Sequence, residues 1–101
     1  MRKGVLELCT LAIIAENDAY ASDIIEKLKS SDLIVVEGTL YPLLTRLKNE
    51  GMLQYRWEES TSGPPRKYYQ LTKDGEESLS TLKNSWNELT TAVDKIIKVE
   101  Q

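Results

Sequence analysis

The spacing of apolar and polar residues divides the chain into segments of different periodicity. From about residue 3 to residue 15, apolar residues occupy too many positions for one helical stripe, so this first helix is expected to be covered on more than one side. A second helix is predicted from Ala21 to Ser30, with Ser22 or a neighbour as its cap. The sequence LIVV at 33–36 is short and rich in β-branched residues, which predicts a brief extended strand.

Four leucines spaced as i, i+3, i+4 and i+7 define a third helix. They are Leu40, Leu43, Leu44 and Leu47. Thr39 is a suitable N-cap, which would place Pro42 in the first turn, where backbone N–H groups lack helical acceptors and a proline costs little. Gly51 supplies a left-handed end to the helix. The leucines would hold this helix in a core, so its remaining face would meet a partner.

After the third helix, apolar residues recur at every second position. Leu53, Tyr55 and Trp57 alternate with polar residues, as in a half-buried strand. A polar loop, EESTSGPP at 58–65, then leads into a return strand, RKYYQLT at 66–72. These two strands predict a β-hairpin that carries a pair of cations where its loop meets the second strand.

A long last helix is predicted from about Lys73 to Val99, with Thr72 as its N-cap. Apolar residues recur along it at alternating spacings of three and four, which is a heptad pattern. This α4 seam consists of Leu79, Leu82, Trp86, Leu89, Val93 and Ile96. At 1.5 Å per residue the helix would be roughly 40 Å long, more than a domain of this size can cover. We therefore expect the seam to pack against a second copy of the chain; the alternative is packing within the same chain.

Composition places the chain among ordinary globular proteins and outside the membrane. Its 101 residues make one domain, 41% of them hydrophobic and 29% charged, and no apolar run approaches the roughly 18 residues that span a bilayer. The single cysteine, Cys9, lies in an apolar stretch and suits a buried thiol in a reducing compartment, although a reactive thiol is the alternative. The expected location is the cytoplasm.

Residue types that perform chemistry are scarce. The chain has no histidine, which removes the commonest general base and any cysteine–histidine zinc cluster, and its five glycines are scattered. Two carboxylate pairs, Glu58–Glu59 and Glu76–Glu77, resemble solvated charges beside turns. We expect no enzyme activity, no catalytic residues, no cofactor and no metal.

The order of elements predicts a mainly α fold with a small β-hairpin (α+β), a winged helix-turn-helix with a long C-terminal dimerisation helix. Residues 1–72 would form the DNA-binding domain, and residues 73–101 the dimerisation helix, in one compact unit with residues 1–15. In such a fold the third helix enters the DNA major groove and the hairpin touches phosphate or the minor groove. The candidate DNA-binding residues are Thr39, Tyr41, Pro42, Thr45, Arg46, Lys48, Arg66 and Lys67.

Chemistry and charge give these candidates uneven support. Arg46 can offer two donors to guanine and Lys48 can neutralise a phosphate, while each cation taken alone could be a solvated surface charge. The chain as a whole carries a net charge of −3, but residues 38–71 hold five Lys/Arg against three Asp/Glu, the only net positive block. The acidic total leaves a second interpretation open, a winged-helix module that binds another protein instead of DNA.

Several motifs together resemble the PadR family of transcriptional regulators, in its small subgroup with a single C-terminal helix. They are GVLELCTLAII, EGTLYPLLTRLKNEGML, GPPRKYYQLTKDG and the helix that contains SWNEL, and they cover nearly the whole chain. The resemblance implies a cytoplasmic homodimeric repressor with two winged helices on a pseudo-palindromic operator, and a C-terminal helix exchanged with the partner's first helix. The sequence AYASDI at 19–24 departs from the Tyr-Gly-Tyr run that relatives often carry, which leaves open a DNA contact at the start of the second helix.

The resemblance also extends to a small aromatic or lipophilic effector. In multidrug-sensing relatives, a tryptophan of the C-terminal helix stacks on flat compounds between the two subunits. The matching residue is Trp86, with Leu89, Val93, Leu8 and Ala12 as expected neighbours. Trp86 could instead serve only as a large interface residue, and Glu7 could either attract a cationic ligand or face solvent.

Overall fold

Four helices and one antiparallel hairpin follow one another along the chain. The elements are α1 (Arg2–Glu16), α2 (Ala21–Ser30), α3 (Glu37–Asn49), β1 (Leu53–Ser60), β2 (Gly63–Leu71) and α4 (Lys73–Ile97). This computed structural model describes the backbone of residues 2–98 and the side chains of residues 4–98. Val99, the predicted end of the last helix, lies outside the described residues. The predicted fold class is confirmed, with differences at the ends of several elements.

The core forms where α1, α2, α3 and the start of the hairpin meet. Its fully buried side chains are Leu11, Ile14, Ile24, Leu28, Leu40, Leu44 and Leu47, with Leu53, Tyr69 and Leu79 at its edge. α1 contacts α2, β2 and α4, so it is covered on several sides as its dense apolar pattern predicts. Thr10 is the exception in this core, since its buried hydroxyl has no hydrogen-bond partner among the described residues.

The strand predicted at 33–36 is wrong. Residues 33–36 form an irregular connection between α2 and α3, and the side chain of Ile34 is 84% exposed. The place beside the hairpin is taken by Ala19, which exchanges two backbone hydrogen bonds with Tyr69 at 3.0 and 2.8 Å. A β-branched run forms a strand only where it pairs with a strand edge, and beside β2 the bridge at Tyr69 is made by Ala19 and not by this run.

α3 begins earlier than its leucines suggest. Its N-cap is Val36, and the first helical residue is Glu37, so Thr39 is not the cap. Pro42 consequently lies inside the helix, and the prediction that it occupies the first turn is wrong. A proline there removes the N–H that would bond to the carbonyl of Gly38, which is exposed and open to water.

Gly51 ends α3 as predicted. Its φ is +83°, in the left-handed region, and its N–H donates to the carbonyl of Lys48 at 3.1 Å. The next N–H, of Met52, donates to Leu47 at 2.9 Å. This pair of bonds is a Schellman motif, which satisfies the last helical carbonyls and turns the chain directly into β1.

The hairpin is longer and its loop shorter than the sequence suggests. β1 and β2 pair from Leu53 opposite Leu71 to Ser60 opposite Gly63, so the polar residues predicted as a loop at 58–65 mostly belong to the strands. The register shifts between Glu58 and Ser60. Proline is tolerated in β2 because a two-stranded sheet has only edge strands, in which half of the N–H groups need no partner.

Side-chain caps fix the starts of α2 and α4. The N-cap of α2 is Tyr20 and not Ser22. The Asp23 carboxylate accepts a hydrogen bond from the backbone N–H of Tyr20 at 3.0 Å. At α4, the Thr72 hydroxyl accepts from Gly75 N–H at 3.0 Å, as predicted, and donates to the Gly51 carbonyl at 2.5 Å. Thr72 thereby ties the start of α4 to the end of α3.

Candidate nucleic-acid interface

The outward face of α3 forms one open, shallow depression. Its lining residues are Tyr41, Pro42, Thr45, Arg46, Asn49 and Glu50. These residues are exposed because Leu40, Leu44 and Leu47 turn the opposite side of the helix into the core. The depression therefore contains four of the residues predicted to bind DNA, on the exposed side of α3.

Arg46 is held by two carboxylates at the edge of this depression. Its Nη2 donates to Glu7 Oε1 of α1 at 2.7 Å, and its Nη1 donates to Glu50 Oε1 at 3.0 Å. The hydrogen bond with Glu7 is the largest of the effects that raise the pKa of Arg46, and Glu50 adds to it. The Glu7 side chain is thus mostly sheltered from solvent and pairs with α3, while its contact with a cationic ligand stays a prediction.

A second concave surface lies between the start of α2, the face of α3 and the hairpin. This wing groove has a volume of about 320 Å³. Tyr20, Ala21 and Ser22 line it from α2, Tyr41 and Thr45 from α3, and Trp57, Pro65, Arg66, Lys67 and Tyr69 from the hairpin. Tyr41 and Thr45 belong to both concave surfaces, so the depression and the wing groove form one continuous face.

The two wing cations reach the groove from opposite sides of β2, each beside aromatic rings. The Arg66 guanidinium lies 3.8 Å from the centre of the Tyr20 ring and donates from Nη1 to the Ser22 hydroxyl at 3.4 Å. The Lys67 ammonium lies 4.7 Å from the Tyr55 ring and 5.6 Å from the Trp57 ring. Such cation–π contacts orient each charge without neutralising it. Both cations are therefore positioned and still able to meet an anion.

The remaining two predicted DNA contacts lie apart from these concave surfaces. Lys48 is on the side of α3 that faces the hairpin, with its ammonium 5.9 Å from the centre of the Tyr55 ring. Thr39 is exposed in the first turn of α3 and lines neither the depression nor the wing groove.

Six of the ten residues that line the wing groove lie outside the predicted DNA-binding set, and three of them, Trp57, Tyr20 and Ser22, present aromatic or hydroxyl groups beside the wing cations. Trp57 was predicted on the apolar face of β1, yet its side chain is 60% exposed in the groove. Tyr20 and Ser22 lie where the chain departs from the Tyr-Gly-Tyr run of relatives, and both contact Arg66. The sequence shows aromatic residues and cations in these segments. It does not show that they lie side by side, because the segments are far apart along the chain.

The predicted effector residues are only partly brought together. A groove of about 270 Å³ between α1 and α4 contains Leu8, Trp86 and Leu89. Gly4, Val5, Leu82 and Ser85 complete this α1–α4 groove. Ala12 instead packs against the core, and Val93 lies further along α4.

The α4 seam runs from the core out into solvent. Leu79 is buried and Leu82 half-buried, whereas Trp86 is 40% exposed and Ile96 is 73% exposed. Leu89 and Val93 between them are also exposed. The second half of the helix thus presents an apolar row that no other part of the described chain covers.

Other kinds of site are not seen in the described part of the chain. Between residues 2 and 98 no three side chains of the types that hold metal ions lie close enough to share one. Within the same residues no helix combines the length and the apolarity needed to cross a bilayer.

The three-helix core, the hairpin and the face shared by α3 and the wing groove define a winged helix-turn-helix protein. Over residues 10–81 the sequence matches the family described as transcriptional regulator PadR-like. The chain belongs to this family.

Two solved structures and one further relative are similar to this chain along nearly its whole length. A PadR-like transcription factor from Bacteroides fragilis is 61% identical, with 95% of this chain and 93% of that chain covered and a TM-score of 0.84. A PadR-like transcriptional regulator from Bacillus cereus is 38% identical, with coverage of 94% and 93% and a TM-score of 0.83. An uncharacterised protein from Lysinibacillus sphaericus is 28% identical over 95 residues, 91% of this chain and 87% of that protein.

Proposed function

We propose that this transcriptional regulator is a homodimeric repressor that places two winged helices on a pseudo-palindromic operator in double-stranded DNA. The wing groove carries the proposal, since two oriented cations and three aromatic rings adjoin the outward face of α3, which adds the ring of Tyr41. α3 has 13 residues and is thus about 20 Å long, and the major groove admits a helix of ordinary width. Thr45 and Asn49 would meet base edges while the hairpin meets the backbone.

The cations of α3 and the hairpin differ in whether a carboxylate already pairs with them. Lys48, Arg66 and Lys67 make no ion pair among residues 4–98, so each can neutralise a phosphate. Arg56, also on the hairpin, is held by Glu58 at 2.7 Å and lies 3.9 Å from Asp18. With three such cations in each protomer, the logarithm of the dimer's DNA affinity should fall with the logarithm of salt concentration with a slope of about −5.

The exposed α4 seam is the reason for proposing a second protomer. An exposed row of Trp86, Leu89, Val93 and Ile96 is costly in water, and a second copy of α4 with its α1 would cover it. Dimerisation also supplies the symmetry that a pseudo-palindromic operator requires, with half-sites about 34 Å apart. The α1–α4 groove would then lie beside this interface, where Trp86 could stack on a small aromatic or lipophilic effector that releases the repressor.

Selection from random duplexes, followed by fluorescence anisotropy, tests DNA binding. The wild-type protein should enrich a two-fold related sequence and bind it with the steep salt dependence given above. Lys67→Gln removes one phosphate contact from each protomer and should reduce the slope by about two. Lys83→Gln, which removes a charge from exposed α4, is the matched control and should leave the slope unchanged. No enriched sequence, with salt-insensitive binding to a protein partner, would favour the protein-interaction module.

The two tryptophans offer a crossed test of the dimer. Trp86→Ala removes a large side chain from the α4 seam and should shift sedimentation toward the monomer at low concentration. Trp57→Ala removes the same side chain from the wing groove, so it should weaken DNA binding and leave the dimer intact. A dimer that responds equally to both changes would contradict the proposed interface.

A further inference from the structure

One ion pair joins α1 to α3 across the surface of the molecule. Arg46 Nη2 and Glu7 Oε1 are 2.7 Å apart, although 39 positions separate the two residues along the chain. The Glu7 side chain is 19% exposed and that of Arg46 is 45% exposed, so this contact is partly sheltered from water. The contact to Glu50 is longer, at 3.0 Å, and more open, with Glu50 47% exposed. Glu7 is therefore the stronger of the two partners.

This cluster lies on the surface proposed to meet DNA. Arg46 and Glu50 both line the depression on the outward face of α3, next to Asn49. One guanidinium between two carboxylates has a net charge of −1, which opposes the approach of a phosphate. For Arg46 to reach a phosphate or a guanine, it must first exchange a charge-assisted hydrogen bond at 2.7 Å for the new contact.

We infer that Glu7 sets the strength of DNA binding by holding Arg46 away from DNA. Glu7 is a positioning residue, because it acts through Arg46 and makes no contact with DNA itself. This inference rests on the proposed function. The sequence predicts that Arg46 contacts guanine. In this inference Arg46 instead stays paired with Glu7, and the DNA affinity comes from Lys48 and the wing groove.

Removal of the Glu7 charge should strengthen DNA binding. In Glu7→Gln the amide retains the size of the side chain but no longer neutralises Arg46, which becomes free to pair with a phosphate. One added contact in each protomer should steepen the salt slope of the dimer by about two and tighten binding about five-fold or more at moderate salt. Arg46→Gln in the wild-type background removes a charge that is already paired, so it should leave the salt slope unchanged, while the two carboxylates left without a cation should weaken binding.

Anisotropy titrations of a labelled duplex, enriched by the wild-type protein, test this inference across a series of KCl concentrations. The variants are Glu7→Gln, Glu7→Ala, Arg46→Gln and the double variant Glu7→Gln/Arg46→Gln, each checked for folding by circular dichroism. Glu16→Gln is the matched control, because it removes the same charge from the exposed end of α1, where Glu16 makes no ion pair with another residue of 4–98.

The expected result is a gain of affinity and slope in both Glu7 variants, no comparable gain in Glu16→Gln, and loss of the gain in the double variant. An equal gain in Glu16→Gln would show that only net charge matters, and would overturn the inference. A gain that survives in the double variant would overturn it too, since Arg46 would then play no part. Wild-type protein that binds duplexes without a steep salt slope would refute the proposed function instead, before any variant is compared.

Discussion

Replacing Gly75 with alanine probes the packing that joins α4 to the hairpin. Gly75 is buried in the first turn of α4, and a Cβ atom there would overlap the carbonyl oxygen of Met52 and lie 2.8 Å from Leu71 Cδ1. The Met52 carbonyl also accepts a hydrogen bond from Thr72 N–H at 3.1 Å. Because the obstacle is backbone, it cannot rotate away as a side chain would, and α4 must move relative to the hairpin.

The cost follows from two opposing effects. Overpacking a core costs about 1–3 kcal/mol, and a clash with backbone places Gly75→Ala at the upper end of that range. The better helix propensity of alanine returns at most about 1 kcal/mol. We expect a net loss of about 2 kcal/mol, which for a domain of this size lowers Tm by about 10 °C.

Urea unfolding followed by circular dichroism measures this loss, at one protein concentration because a dimer's stability depends on concentration. Gly38→Ala is the control: Gly38 is also helical, nothing lies within 4 Å of the added Cβ atom, and alanine should stabilise by about 0.5–1 kcal/mol. A Gly75→Ala protein as stable as the wild type would refute the close approach of α4 to Met52.

Two further substitutions test buried polar groups by urea unfolding. Thr10→Val removes a buried hydroxyl without a partner among the described residues and should stabilise the protein by about 1 kcal/mol. Thr72→Val removes the α4 cap and should destabilise the protein by about 1–2 kcal/mol. A loss of stability in both variants would contradict the assignment for Thr10. Burial raises the pKa of Tyr69, so its contribution to stability is complete below about pH 10 and is lost as pH rises through the folded-state pKa. Tyr69→Phe should flatten this alkaline loss, while Tyr68→Phe, on the other face of β2, should retain it.

Most elements could be predicted because their signals are local. The leucines of α3, the alternation in β1 and the capping residue Thr72 each act on neighbours within a few positions. Some errors are local, such as the start of α3 and the length of the hairpin loop, and others fall where a distant part of the chain decides the outcome. The apolar run at 33–36 does not join the sheet, whereas Ala19 pairs with Tyr69, and no spacing within either segment could indicate this.

The candidate site divides in the same way. Helical spacing placed Tyr41, Thr45 and Arg46 on the outward face of α3, and the sequence RKYY placed two cations on the wing. Which groups each side chain would meet depended on tertiary packing. The sequence offered Glu7 and Arg46 as separate charges, and the structure places them 2.7 Å apart.

Apart from the strand predicted at 33–36, the sequence by itself determined the order of the elements, the faces that α3 and α4 bury and expose, and the family to which the chain belongs. Periodicity and capping are enough for this, because each depends on interactions that the local backbone repeats. Only the tertiary structure decided that Arg66 stacks on Tyr20, that Trp57 faces the wing groove and that Arg46 is paired with α1. Such contacts join residues far apart in the chain, and their geometry exists only once the core has fixed the helices and the hairpin relative to one another.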